Sequence, residues 1–124
     1  MLTYSEARAI LDKARNHEKK LENNTYLHYA ENFSANDKLG AGAICVRLHS
    51  TDVVSIHADG TYTLNSGGWR TVTTKARINE YCPVGISQVK GVWYLWCDGK
   101  RLKTEFFDGI RVDTRGKVLN PVTA

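Results

Sequence analysis

The alternation of apolar and polar positions is cleanest between Arg47 and Tyr81, RLHSTDVVSIHADGTYTLNSGGWRTVTTKARINEY. Residues 53–57 and 61–65 are rich in β-branched and aromatic side chains and flank Ala58-Asp59-Gly60, the pattern of two strands joined by a tight turn. A two-residue Asp59-Gly60 turn sets Ile56 against Thr63 and Val54 against Asn65, which mixes apolar and polar groups on both faces. A three-residue loop with Gly60 in the left-handed region sets Ile56 against Tyr62 and Val54 against Leu64. His57, Ser55, Thr61, Thr63 and Asn65 then share the other face. Because a one-residue slip exchanges every side chain's face, the three-residue loop is predicted. After Asn65 the period changes. Gly67-Gly68 ends the strand, and Thr73 or Thr74 caps a helix reaching about Tyr81, with Ile78, Tyr81 and Cys82 on one stripe. Lys75, Arg77 and Glu80 fall elsewhere on the helix and are expected in solvent. Pro83 bars continuation.

The same reading extends to both ends of the chain. Thr3-Tyr4-Ser5-Glu6 is a capping box, and Ala7, Ile10, Leu11 and Ala14 form the apolar stripe of a helix ending near Asn16. Residues 17–22 read as a charge-rich connector, 25–29 as a strand and 32–42 as a loop. Residues 43–49 read as a strand with Ile44, Val46 and Leu48 on one face, followed by a turn at Ser50-Thr51-Asp52. Farther on, residues 92–96 and 101–106 flank Asp98-Gly99. Here the two-residue turn pairs Leu95 with Leu102 and sends Trp93 and Phe106 to the same inner face. A third turn at Asp108-Gly109 is predicted to pair Phe106 with Ile110 and Glu105 with Arg111. Residues 114–124 read as a tail or short edge strand. These elements predict one α+β domain over residues 1–124: a twisted antiparallel sheet of six or seven strands, with the N-terminal helix and the 74–81 helix packed on it.

Composition sharpens this picture only modestly. The chain has 124 residues, of which 42% are hydrophobic, enough for a core without staples. The net charge of +4 and a pI near 9.0 permit a polyanionic partner without demanding one. Cys45, Cys82 and Cys97 are widely spaced with no C-x-x-C, which argues against a disulfide framework or a zinc ribbon and reads as core thiols in a reducing compartment. Neither an N-terminal apolar signal core nor a run of membrane-spanning length is present, so a soluble, cytoplasmic protein is expected.

The segment RLHSTDVVSIHADGTYTLNSGGWRTVTTKARIN resembles one shared by small proteins encoded mainly in bacteriophage genomes, above all from Leu64 to Asn79. The resemblance covers about the middle third of the chain. It implies a viral origin and expression inside a bacterial host cell, and it brings no catalytic residues with it.

Three constellations could carry chemistry. The first is the outward face of the 92–106 hairpin. In the two-residue register Tyr94 opposes Lys103 and Trp96 opposes Arg101, so rings that stack bases stand beside cations that follow phosphates. The same pairs also serve as cross-strand cation–π contacts on an amphipathic sheet. The second is Ser66-Gly67-Gly68-Trp69-Arg70-Thr71 with Lys75 and Arg77, where a helix N-terminus and nearby cations suit a phosphate. Threonine capping alone also accounts for its hydroxyls, neither G-x-x-x-x-G-K-[ST] nor G-x-G-x-x-G is present, and Trp69 reads as a core plug. The third is His49, Asp52 and His57, with His28 more distant. Nothing in their spacing makes them converge on a metal, and Cys45 with His49 makes no better nucleophile pair. No cofactor, no metal and no enzymatic activity are expected. The candidate partners are nucleic acid, engaged through Tyr94, Trp96, Arg101, Lys103, Arg70, Lys75 and Arg77, or alternatively a bacterial host protein that the exposed aromatics would anchor.

Overall fold

The computed structural model describes residues 1–30 and 43–120; the loop read at 32–42 and residues 121–124 of the tail lie outside them. Helix α1 (Tyr4–Lys13) opens with the expected capping box: the Thr3 hydroxyl accepts from the Glu6 amide at 3.2 Å, and the Glu6 carboxylate accepts from the Thr3 amide at 3.1 Å. The Thr3 amide, and after it the Thr3 hydroxyl at 2.9 Å, donate to the Glu6 carboxylate and hold it below its usual range. Ala7 and Leu11 are buried. The helix stops at Lys13, short of the expected Asn16, because a 3-10 turn at Arg15–His17 with Asn16 at φ 60° redirects the chain.

That turn delivers residues read as a connector into a strand, β1 (Glu18–Glu22). Its charges are tolerated because it is the outermost strand of its sheet. Strands β2 (Thr25–Tyr29), β3 (Ile44–Leu48), β4 (Thr51–Ile56) and β5 (Tyr62–Leu64) follow as an antiparallel meander. The β3–β4 turn falls at His49-Ser50, one step before the expected position, with His49 at φ 56°. The β4–β5 hairpin takes the predicted register, Ile56 with Tyr62 and Val54 with Leu64, and Gly60 sits at φ 89°.

Helix α2 (Val72–Tyr81) crosses next, packed against β3, β4 and β6 (Gly85–Val89). Its cap is Thr71, whose hydroxyl accepts from the Thr74 amide at 3.2 Å, rather than Thr73 or Thr74. Ile78 and Cys82 are buried, as the stripe requires. Strands β6, β7 (Val92–Cys97) and β8 (Lys100–Glu105) then form a second, three-stranded antiparallel sheet.

The third Asp-Gly turn does not make the expected hairpin. β9 (Ile110–Val112) leaves β8 and joins β5, giving the six-stranded order β1-β2-β3-β4-β5-β9. Asp108 explains the diversion: its carboxylate accepts from both the amide and the hydroxyl of Ser66 at 2.7 Å, and the Gly109 amide donates to the Leu64 carbonyl at 2.8 Å. The turn is thereby fastened to the end of β5, where Ile110 and Val112 meet Leu64 and Tyr62. Phe106 stays with Trp93, donating its amide to the Trp93 carbonyl at 2.8 Å, with the ring centroids 5.6 Å apart.

Two cross-strand rows define the large sheet. Leu27, Val46, Val54, Leu64 and Ile110 are successive partners on the inner face, all fully buried. Burying each of these side chains contributes about 1.5–3 kcal/mol. One residue away, Glu18, His28, Cys45, Ser55, Thr63 and Arg111 are successive partners on the opposite, polar face. Among the described residues no helix is long and apolar enough to cross a membrane.

Candidate functional site

The outward face of the small sheet is built by β7 and β8. Asp98 and Gly99 both have positive φ, the requirement of the two-residue turn read from the sequence, and Trp96 pairs with Arg101 as expected. Trp93, Leu95 and Phe106 are buried, with Leu102 packed against them. The alternate residues face out. Trp96 is 42% exposed, and Arg101 and Lys103 are exposed. The Arg101 guanidinium lies over the Tyr94 ring, 5.5 Å from its centroid.

One detail differs from the sequence reading. The β7–β8 register shifts between Tyr94 and Trp96, so Tyr94 pairs with Glu105 instead of Lys103. The shift gives β8 two extra residues. An even number preserves the in–out alternation, which is why the inner face survives while a carboxylate enters the outer one. Tyr94, Arg101 and Lys103, with Val89 and Leu102, line a shallow trough of about 450 Å³.

The second constellation disperses. The Arg70 guanidinium lies over the buried rings of Trp93 (5.7 Å) and Phe106 (5.2 Å), where it caps the core. Lys75 donates to Gln88 at 2.9 Å. Arg77, expected in solvent, reaches Glu22 at 3.0 Å and the Thr25 hydroxyl at 2.9 Å and ties α2 to the β1–β2 hairpin. Tyr81 donates a second bond to Glu22, and that bond first, with Arg77 adding to it, holds the Glu22 carboxyl low. Trp69 is not a core plug: it is 69% exposed, and its neighbour Val72 is 78% exposed. Trp69 borders a cleft of about 480 Å³ with His49, Thr51, Ser66, Thr71 and Thr74 among its walls. Among the described residues no lysine or arginine lines that cleft.

The third constellation forms with different members. His49 is exposed at the β3–β4 turn, and His57 bonds Thr63 at 2.7 Å, so neither joins Asp52. Instead His28 Nε2 lies 2.6 Å from Asp52 Oδ1, and the thiol of Cys45, the direct strand partner of His28, completes a group whose ligating atoms all lie within 4.8 Å of one another. Asp52 gets there through a β-bulge: the β3–β4 register shifts between Val46 and Arg47, which turns Asp52 to the polar face instead of the core. The Asp52 hydrogen bond raises the pKa of His28. Burial pushes the Cys45 thiol up to about 11, so it is protonated at neutral pH and donates to the Ser55 hydroxyl at 3.5 Å. A thiol in that state, beside an imidazole whose Nε2 is engaged by a carboxylate, is not an activated nucleophile. The three residues stand on three strands at spacings with no motif, and only the β2–β3 register would have brought His28 to Cys45 from sequence.

A family model described as Kyanoviridae Gp96 protein matches residues 3–113. No curated protein and no solved structure matches the chain.

Proposed function

Since the chain belongs to the Kyanoviridae Gp96 family of phage proteins, we propose that it is a non-enzymatic accessory protein of the infected cell's cytoplasm that holds single-stranded nucleic acid on the outer face of β6–β8. The observation that carries this reading is the exposed Trp96 in line with Tyr94 on β7 and paired with Arg101, while Tyr94, Arg101 and Lys103 line the adjoining trough. Residues i and i+2 of a strand stand about 7 Å apart on one face, a spacing that lets two unstacked bases lie on two rings. The neighbouring cations follow the phosphates. Glu105 beside Tyr94 opposes this and keeps affinity moderate.

Titration of a labelled oligonucleotide at several salt concentrations tests the reading. Wild type binds with a marked salt dependence. Trp96→Ala keeps the melting temperature within a few degrees and weakens binding by roughly 1–3 kcal/mol. Arg101→Ala flattens the salt slope, and Glu105→Gln tightens binding. Absence of binding at low salt, or a collapse of the melting temperature in Trp96→Ala, refutes the proposal.

The exposed Trp69 and Val72 beside the cleft favour a second reading, a binder or inhibitor of a bacterial host protein. In that case Trp69→Ala abolishes association with the host factor and Trp96→Ala does not.

A further inference from the structure

We propose that His28, Cys45 and Asp52 bind one zinc-type divalent ion on the polar face of the six-stranded sheet. The donor set is an imidazole nitrogen, a sulfur and a carboxylate oxygen, a combination that suits zinc and its neighbours better than calcium or magnesium. The placement is built into the sheet. β2, β3 and β4 lie side by side, His28 and Cys45 are direct partners, and the bulge in β4 supplies Asp52 to the same face. Ordinary alternation would have buried that carboxylate in the core.

The surroundings suit a cation. Arg47, the register partner of Asp52, turns its guanidinium to Glu18 at 2.6 Å and so is partly neutralised. Ser55, the other partner of Cys45, accepts from the thiol at 3.5 Å, and its hydroxyl is free to rotate and donate to the sulfur once the metal has replaced that proton. A tetrahedral ion with ligands at about 2.0–2.3 Å separates them by roughly 3.3–3.8 Å. The 2.6 Å between His28 and Asp52 therefore widens by about 1 Å on binding, a small swing for the Asp52 side chain, which is 38% exposed. Coordination replaces the Cys45 S–H by a sulfur–metal bond, and the released proton goes to solvent. Three protein ligands leave the fourth position to water. Such an ion clips three strands at the centre of the meander.

Chelator-treated full-length protein titrated with cobalt(II), then with zinc, decides the matter. One cobalt per chain is expected, with the visible spectrum of a four-coordinate ion and a near-ultraviolet sulfur-to-cobalt charge-transfer band, both removed by one equivalent of zinc. Zinc raises the melting temperature. Cys45→Ser abolishes the charge-transfer band, His28→Gln and Asp52→Asn each weaken zinc binding about tenfold or more, and His49→Gln changes nothing. A wild-type cobalt spectrum without the sulfur band, or unchanged zinc affinity in both His28→Gln and Asp52→Asn, overturns the proposal. Those two side chains reach the surface, so the comparison holds even where Cys45→Ser fails to fold.

Discussion

At the scale of single residues, two glycines separate backbone strain from steric conflict. A Cβ at Gly60 would meet no atom within 4 Å, yet φ is 89°. Gly60→Ala is therefore expected to lower the stability measured by urea unfolding by about 1 kcal/mol, from left-handed strain alone. A Cβ at Gly67, at φ 62°, would sit 2.5 Å from the Thr51 hydroxyl, so Gly67→Ala is expected to cost more. Equal effects would mean that the Thr51 contact does not matter. His57 makes a pH-dependent contribution. Burial lowers its pKa below the ordinary 6.5, and Arg111 adds to that shift while Asp59 opposes it. The unfolded chain thus binds the proton more readily than the folded one. This contribution is fully present above about pH 6.5 and is lost as pH falls through the lower, folded-state pKa. Unfolding at pH 5 and pH 7 is expected to show a larger acid loss in wild type than in His57→Gln, and identical losses would refute it.

At the scale of elements, the caps and turns are the legible part of the chain, with one instructive displacement. Three threonines, Thr71, Thr73 and Thr74, precede the α2 stripe, and the sequence pattern offers Thr73 or Thr74 as the cap. The structure makes Thr71 the cap, buries Thr74 and leaves Thr73 exposed. Thr71→Ala is expected to cost about 1 kcal/mol in thermal or urea unfolding, and Thr73→Ala close to nothing; the reverse order would place the cap where the sequence pattern put it. The hairpins at Asp59-Gly60 and Asp98-Gly99 are readable because only one register gives each a clean apolar face. Bulges were not readable, because they answer to packing. The irregularity that puts Glu105 across from Tyr94 adds two residues and leaves the apolar alternation intact, whereas the one that brings Asp52 to His28 adds one, so Val53 and Val54 are both buried and Asp52 changes face. β1 was missed for a related reason: an outermost strand needs few apolar residues, and EKKLE carries one.

At the scale of the whole molecule, local pattern predicts the antiparallel character and the class of the fold but not the route of the chain. Phe106 and Ile110 are four residues apart and fit each other as hairpin partners, yet β9 pairs with β5, some 48 positions earlier. The choice rests on Asp108 meeting Ser66, a contact between two polar residues that no periodicity marks. The N-terminus is secured at similar range: the Tyr62 hydroxyl donates to the Leu2 carbonyl at 2.9 Å, and the Met1 amine donates to the Glu80 carbonyl at 2.7 Å. This late closure bears on how the protein emerges during translation. Between the emergence of Tyr62–Leu64 from the ribosome and that of Ile110–Val112, one side of the β5 backbone is unclaimed, an open edge at which a second nascent chain can pair. Only when Ile110–Val112 leave the exit tunnel does each chain close its own sheet.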